Sequence, residues 1–519
     1  MPNSFRAPAQ HGEILLLPPG SLMELVRANE AALSASESLA SSRAEARREV
    51  LDIATGWTTG LIGPTELPPD PQFWIIGGHQ PELFHPGVWA KNAVISRLAT
   101  ELSGVGLNLV VDNDLCAKSS VSVPHSPDSQ RMATLEWDEP RPHAPWEERP
   151  VPDSKLFDSF GERCQRHLKP WGIDPLAASQ DWAAVPERGI VDRLVRLRSL
   201  FERSCGLRNL ELKVSDLADT RSFRRFLLHT LQNAESLWQT YNTALSDYRT
   251  IHRIRSRSRS HPVPALDSTE YGLEVPFWVW RAGETRRSRL FVRPINSGLL
   301  ALHDGQQELG RLSLSSESVA LEQLADLRRQ GWKIRPRALT LTLFCRAYLG
   351  SVFVHGIGGA KYDEMTDVLI ERGLRQTPPA LIVATATLRL FESFVPRRVE
   401  SLIAQDQNEL RRVHWNPESV ASSAHSAIQA PALIAEKQQL ITAAMAPSVR
   451  HSQIQRINAA LRSGLADYEQ RIRSDLQSKL ASLPHQVALR GREYSANLFP
   501  AATIQELFQR IEHQVITQK

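Results

Sequence analysis

Two glycines, two histidines and a glutamine lie between a strand pattern and a helix pattern in the segment FWIIGGHQPELFHPGVWAKNA. Gly77 and Gly78 let an anion approach backbone N–H groups at a helix N-terminus, where the helix dipole favours negative charge. Gln80 offers both a hydrogen-bond donor and an acceptor. His79 is expected to bind a phosphate when protonated, or to act as a catalytic acid or base, because histidine titrates near neutral pH. The segment predicts an anion-binding turn that contains a catalytic histidine.

A purely structural role for this turn is an equally good interpretation of the same residues. The glycines and prolines would then shape a tight bend, and the histidines would cap backbone groups. His85 lies beyond Pro81 and is expected to orient the turn rather than to contact a ligand. Lys91, two turns into the following helix, is expected to add positive charge near a bound anion. The turn on its own leaves both interpretations open.

A second strand, glycine turn and helix follow in the segment SVFVHGIGGAKYDEMTD. His355 ends the strand pattern and is a second candidate catalytic residue. Gly358, Gly359 and Lys361 are candidate contacts for a substrate or a nucleotide. Ligands of parallel sheets bind beyond the carboxyl ends of the strands, so both turns are expected to line one cleft.

Two aspartates end another strand pattern, LNLVVDND. Asp114 is a candidate for taking a proton from an amine, and Asp112 is a candidate for binding the substrate. Either residue could instead cap the turn that follows. The sequence does not decide whether magnesium is needed. The spacing of His79 and His85 across a proline turn matches no zinc motif, so no metal site is predicted.

The elements that must hold these residues are those of an α/β fold. A strand, a turn, a helix and a second strand within about 45 residues form a βαβ unit, which implies parallel strands and a right-handed crossover. The segments VPFWVWRAG and RSRLFVRP predict an antiparallel pair of strands. We expect an α/β core over residues 1–390, with insertions at about 120–190 and 250–330. The Arg-Ser run at 255–260 is interpreted as a solvated loop, with an anion-binding loop as the alternative.

Long amphipathic helices follow between residues 391 and 484. Ile457, Leu461 and Leu465 recur at helical spacing and predict an apolar face. Two such helices in succession predict an antiparallel helical hairpin that forms a coiled-coil arm. Residues 485–519 are expected to return to the core.

The composition excludes several classes of protein. Of the 519 residues, 61 are basic and 57 are acidic, so charge gives no argument for binding nucleic acid or a membrane surface. No segment approaches the roughly 20 apolar residues of a membrane span, and the N-terminal apolar run is too short for a signal peptide. The four cysteines form no CxxC pair, which favours a reducing cytoplasm.

The order of these motifs resembles that of the family of the cysteine-adding enzyme of bacillithiol synthesis. That family has a Gly-Gln-Gln turn followed by Leu-Phe; here Gly78, His79 and Gln80 occupy the turn in GGHQPELFHPG. Its next strand ends in Glu-Asp-His-Asp, of which VDND keeps Asp112 and Asp114. The segments FLLHTLQNAESL, ALIVATATLRL and ANLFP are similar to later elements of the family, so the likeness spans nearly the whole chain.

The resemblance implies a Rossmann-like parallel-sheet core with insertions and a long antiparallel coiled-coil arm that pairs two subunits into a homodimer. It implies an ATP-dependent ligase that joins cysteine, or a related amino acid, to an amino-sugar or other amine acceptor through an amide bond. The histidine at position 79 and the shortened acidic run favour a second hypothesis, a ligand-binding protein that has lost the chemistry. A third hypothesis is a dimeric scaffold that functions through its helical arm.

Overall fold

The chain divides into two compact units. The first contains Met1–Val123, Thr134–Leu388 and Arg492–Lys519, and the second contains Pro124–Ala133 and Arg389–Gly491. The structure is a computed structural model that describes residues 5–35, 37–127, 129–141, 143–150, 153–184, 188–254, 263–394, 399–421 and 430–518.

The first unit alternates helices and strands, whereas the second is mainly helical. In the described part of the chain, no helix has both the length and the apolar character needed to cross a membrane. The strands within the described residues are β1 (Ile14–Leu17), β2 (Trp74–His79), β3 (Val105–Val110), β4 (Leu115–Cys116), β5 (Ser120–Ser126), β6 (Ser129–Glu136), β7 (Ala144–Pro145), β8 (Leu210–Lys213), β9 (Ser268–Thr269), β10 (Gly272–Arg281), β11 (Ser288–Asn296), β12 (Leu299–His303), β13 (Glu308–Ser313), β14 (Trp332–Pro336), β15 (Val352–His355) and β16 (Ile382–Ala386). The α-helices are α1 (Leu22–Ser34), α2 (Glu37–Ile62), α3 (Pro86–Glu101), α4 (Ser154–Asp158), α5 (Phe160–Leu168), α6 (Leu176–Ser179), α7 (Ile190–Ser204), α8 (Val214–Ala218), α9 (Arg221–Gln232), α10 (Ala234–Ile251), α11 (Glu317–Arg329), α12 (Ala338–Phe344), α13 (Ile357–Leu369), α14 (Val399–Trp415), α15 (Glu418–Ala421), α16 (Ala430–Thr442), α17 (Pro447–Gly464), α18 (Ala466–Leu489) and α19 (Ala501–Thr517).

A mixed six-stranded sheet forms the centre of the first unit, in the order β1-β16-β15-β2-β3-β8. Strands β16, β15, β2, β3 and β8 are parallel, and β1 is antiparallel to β16 at one edge. Helix α3 connects β2 to β3, and Trp74 lies opposite Val105 in the register. The predicted βαβ unit is therefore confirmed, and the protein is a mixed α/β protein.

Helix α3 packs unusually close to this sheet, against β2, β3 and β16. The parallel strands are apolar runs that suit burial on both faces. Gly77 of β2 makes room for the helix, because an added Cβ would lie 2.6 Å from Cδ1 of Ile95. At the start of α3, a Cβ on Gly87 would lie 2.4 Å from the carbonyl oxygen of Ala386. The C-terminal helix α19 also contacts α3.

A buried polar network joins α3 to α7 and β8. The carboxylate of Glu202 on α7 accepts hydrogen bonds from Trp89 Nε1 at 2.5 Å and from Asn92 Nδ2 at 2.6 Å. Arg198 forms ion pairs with both Glu202 and Glu211 of β8. Removing one member of such a network would leave a buried charge uncompensated, so the network holds α3 in one position on the sheet.

The expected insertions contain regular structure. Much of the second one is an antiparallel sheet in the order β13-β12-β11-β10-β14, and the predicted pairing of VPFWVWRAG with RSRLFVRP is confirmed as β10 with β11. The β10–β11 register shifts between Val275 and Trp278, and such bulges redirect side chains. The Arg-Ser run at 255–260 lies outside the described residues. The first insertion contains the β5–β6 pair and helices α4 to α6.

Helices α14 to α18 make up most of the second unit. Helices α14 and α18 run antiparallel, because Asp406 pairs with Lys479 at 2.6 Å and Glu409 accepts from the Tyr468 hydroxyl at 3.0 Å. Leu465 separates α17 from α18 and is buried. The expected hairpin of only two long helices is therefore too simple, since α15, α16 and α17 lie between the two paired helices in the chain.

Replacing Gly77 by Ala should destabilise the first unit. The new methyl group would collide with Ile95, and overpacking a core of this kind costs about 1–3 kcal/mol of unfolding free energy. Gly358→Ala is the matched control, because its Cβ would meet no atom within 4 Å. Urea denaturation should show a lower midpoint for Gly77→Ala alone. An equal loss in both variants would contradict the proposed close packing.

Candidate functional site

A cavity of about 890 Å³ opens in the first unit at the carboxyl ends of β2, β3 and β15. This volume is within the usual range for small-molecule sites. Gly78 and His79 of the first turn line it together with Gly358 and Gly359 of the second. The expectation that both turns line one cleft is confirmed. The other predicted site residues on its wall are Gln80, Lys91, Asp114, His355 and Lys361.

Lys91 brings a buried positive charge to the cavity wall. Its ammonium donates a 2.6 Å hydrogen bond to the carbonyl oxygen of Gly78, and the residue is 5% exposed. Within the described residues it forms no ion pair with a carboxylate. Burial lowers the pKa of Lys91 to about 8. Burial makes this charge costly, so a bound anion would be a favourable partner for it.

His79 is neutral at physiological pH. Burial, followed by the charge of Lys91, lowers its pKa to about 3. Its Nδ1 lies 3.3 Å from the carbonyl oxygen of Gln80, and its ring meets that of Phe84 edge-on at 5.3 Å. Burial and the charge of Lys91 therefore act against the expectation that His79 titrates near neutral pH and carries a positive charge to a phosphate. A ring held in this way is also a weak proton acceptor.

His85 shapes the turn, as predicted. Its Nδ1 accepts a 3.1 Å hydrogen bond from the backbone N–H of Gly87 and caps α3. Its Nε2 lies 3.1 Å from Oε2 of Glu493. Burial, followed by the charge of Arg492, lowers the pKa of His85 to about 4. A neutral ring that accepts at Nδ1 must carry its proton on Nε2, where it can donate to the carboxylate.

Asp114 is already held by three protein groups, one of which is the backbone N–H of Leu115, which donates to its Oδ1 at 2.8 Å. Gln80 Nε2 donates to Oδ2 at 2.9 Å, and Arg287 Nη2 lies 3.1 Å from Oδ1. The guanidinium of Arg287 also lies over the indole of Trp278, 4.8 Å from its centroid. The predicted residues Gln80 and Asp114 thus orient an arginine at the cavity.

A second arginine lies over the same indole. The Arg337 guanidinium is 4.2 Å from the centroid of Trp278, and its Nη2 donates to Glu274 at 2.6 Å. Arg287, Arg337 and Trp278 all line the cavity, together with Arg492 from the C-terminal segment. Sequence reasoning missed these four residues, because no local pattern shows that they reach the same cavity as the glycine turns. The aromatic pattern of β10 was the local signal that predicted the strand containing Trp278, but it did not indicate a binding site.

Two predicted binding residues are not on the cavity wall. Asp112 is 1% exposed and accepts from Ser215, at 2.9 Å from its backbone N–H and 2.5 Å from its hydroxyl. Burial, followed by the charge of Glu147, raises the pKa of this carboxyl. Asp112 therefore fixes the start of α8, a structural role different from the expected capping of the turn that follows it in the chain. Gly77 packs under Ile95 instead of facing a ligand.

The second turn presents an uncapped helix N-terminus. Helix α13 begins at Ile357, and no side chain in the described part of the chain accepts from its first N–H groups. Gly358 leaves open space beside the backbone, and Lys361 follows within the first helical turns. Free N–H groups and the helix dipole favour an anion at this position.

The charged residues of the cavity wall are mostly basic. Six arginine or lysine side chains line it against two carboxylates, so the cavity attracts anions. Among the described residues, no group of three or more His, Cys, Asp or Glu side chains could hold a metal ion. The six cations are Arg6, Lys91, Arg287, Arg337, Lys361 and Arg492, and the carboxylates are Asp114 and Glu493.

Comparison with known proteins gives no further assignment. A scan against protein-family models found no matching family, and a search of curated proteins found no match. The site must therefore be interpreted from its own chemistry.

Replacing Lys91 by Met should change how stability depends on pH. The folded protein loses the Lys91 proton at a pKa of about 8, below the value of roughly 10.4 for an unfolded chain. The unfolding free energy of the wild type should therefore rise, relative to Lys91→Met, between about pH 8 and pH 10. Exposed Lys155 provides the control Lys155→Met. The unfolding free energy of all three proteins would be measured by urea denaturation across this pH range. Parallel dependence on pH in all three would disprove the effect of burial on the pKa of Lys91.

Proposed function

We propose that the protein is an ATP-dependent ligase-like enzyme that forms an amide bond between cysteine, or a related amino acid, and an amino-sugar or other amine acceptor. The observation that carries this proposal is a cavity that combines two glycine turns with six cations and two carboxylates. Amide formation requires an activated carboxyl group, and ATP supplies that activation as a phosphate or an adenylate. Fixed positive groups would stabilise the charge that develops on the phosphate.

The described residues fit a phosphate-bearing ligand at the second turn. The N–H groups at the start of α13 would hold the phosphate oxygens, with Lys361 and Lys91 as counter-charges. The half-buried indole of Trp278 and the phenol of Tyr241 give the same cavity aromatic surface. A carboxylate cluster for magnesium is not among the described residues, so no step is assigned to that ion.

A ligand-binding protein that has lost the chemistry is the second candidate. The neutral His79 and the engagement of Asp114 by Gln80 and Arg287 favour it, because His79 is then a poor proton acceptor and both carboxylate oxygens of Asp114 already contact protein groups. The third, His355, has a ring nitrogen, Nδ1, that makes no hydrogen bond within the described residues. Because of this residue, the enzymatic proposal remains the first candidate. A cytoplasmic location is part of this proposal and agrees with four cysteines that are all free thiols.

We propose also that the parallel part of the central sheet is a Rossmann-like core and that the helical unit is a coiled-coil arm joining two subunits. The right-handed βαβ connection expected for β2, α3 and β3 supports the first statement. Large exposed apolar side chains support the second, since a second copy of the arm would bury them. Those on the helical unit are Leu402, Trp415, Ile441, Val449, Leu480 and Val487.

Incubation with ATP, cysteine and an amino-sugar acceptor tests the enzymatic proposal. Mass spectrometry should detect AMP or ADP together with an amide product. Lys361→Ala should weaken ATP binding about 10-fold or more, the usual effect of losing a charged hydrogen bond. Lys155→Ala, at an exposed lysine outside the cavity wall, should leave binding unchanged. ATP binding without product would favour the second candidate, the ligand-binding protein. If the protein neither bound ATP nor formed a product, ATP would be refuted both as a substrate and as a ligand.

Light scattering at micromolar concentration tests the dimer. The wild type should have twice the mass of one chain. Replacing Trp415 and Ile441, which are 68% and 55% exposed, by Glu should give monomers, because the charges would oppose burial of the arm. Ile251→Glu alters an equally exposed apolar residue of the first unit and should leave the dimer intact. A monomeric wild type would rule the dimer out.

A further inference from the structure

His355 ends β15 at the second glycine turn and lines the cavity. Its Nε2 lies 3.1 Å from Oδ2 of Asp363, one and a half turns into α13. Both side chains are buried, at 8% and 1% exposure. Within the described residues, Nε2 is the ring nitrogen that makes a hydrogen bond, and Nδ1 makes none. His355 therefore has one nitrogen committed to the protein and one that is free.

Arg346 fixes the charge of Asp363. Its Nη1 donates to the same Oδ2 at 2.6 Å, and its Nη2 pairs with Asp367 at 2.5 Å. Burial alone would raise the pKa of Asp363, but His355 and Arg346 lower it to about 2. An ionised carboxylate only accepts hydrogen bonds, so the proton of a neutral His355 must be on Nε2. Nδ1 then carries the lone pair.

Gly359 leaves Nδ1 uncovered. A Cβ at this position would lie 2.6 Å from Nδ1 of His355, closer than real Cβ contacts come. The second glycine turn therefore serves two purposes: it opens the helix N-terminus at Gly358 and it keeps the basic nitrogen of His355 accessible.

We propose that Nδ1 of His355 accepts a proton from the amine substrate and that Asp363, held by Arg346, is a positioning residue that fixes the required tautomer. This proposal rests on the amide-forming function proposed above. The amine enters as an ammonium ion and gives one proton to Nδ1. The free amine attacks the activated carboxyl carbon; the C–N bond forms, the C–O bond to the phosphate breaks, and the departing phosphate takes the electron pair and the second amine proton. Throughout the reaction the Nε2 proton stays on the imidazole ring, which donates it in a hydrogen bond to the Asp363 carboxylate.

Asp363→Asn tests the positioning role, with Asp367→Asn as its matched control. Both changes remove a carboxylate from Arg346, but only position 363 contacts His355. An asparagine amide can donate to Nε2, which would move the imidazole proton to Nδ1 and block its lone pair. The full-length proteins would be labelled with ¹⁵N-histidine and studied by NMR at mildly alkaline pH, with His355→Gln to assign the signal.

In the wild type and in Asp367→Asn, His355 should carry its proton on Nε2 and have an unprotonated Nδ1. In Asp363→Asn, the proton should be on Nδ1 instead. A protonated Nδ1 in the wild type would overturn the proposal even if no variant folds. Turnover with ATP, cysteine and the amine should fall about 100-fold or more in Asp363→Asn at unchanged KM, the scale of general-base catalysis. Equal losses in both variants would overturn it as well. A wild type without turnover but with the expected tautomer would refute the ligase function and leave the positioning geometry standing.

Discussion

The cavity depends on one steric constraint: helix α3 lies so close to the central sheet that the strand positions directly beneath Ile95 have no room for a side chain. Gly77 and Gly106 both lie under Ile95, and Gly87 meets the end of β16. The buried carboxylate of Glu202 then holds the helix in register. From this position the Lys91 ammonium reaches back to the Gly78 carbonyl, so the packing of a helix on glycines determines where a buried charge enters the site.

The preference of the site for a ligand depends on which of its charged side chains are paired with an opposite charge in the protein. Asp114 is neutralised by Arg287, and Arg337 by Glu274, so these groups have a defined geometry without a ligand. Among the described residues, Lys91 is matched only by a carbonyl dipole, and burial acts against its charge. Such a cation is stabilised when an anion enters a site of low dielectric constant. Part of the electrostatic stabilisation of the site is therefore gained only when a ligand binds, and this favours ligands that carry a compact negative group.

The sequence predicted the glycine turns, the βαβ unit and the β10–β11 pairing because each is coded by neighbouring residues. It placed Asp112 in the site because the pattern of a strand end does not show that Ser215 lies opposite it. It assigned a charge to His79 because burial beside Lys91 cannot be read from local spacing. Arg287, Arg337 and Trp278 were missed for a related reason: they belong to the antiparallel sheet and its connections, and no local pattern shows that this part of the chain reaches the cavity. Composition and periodicity carry no information about such tertiary contacts.

The cavity wall takes residues from both ends of the chain, from Phe5 and Arg6 to Arg492 and Glu493. A ribosome adds roughly 5–20 residues each second, so on the order of half a minute or more separates synthesis of the first wall residues from that of the last. Only after Gly359 has been made does the nascent chain contain both glycine turns, and its wall then still lacks Arg492 and Glu493. A ligand that needs the complete wall can therefore bind only once the C-terminal segment has been made and has joined the sheet.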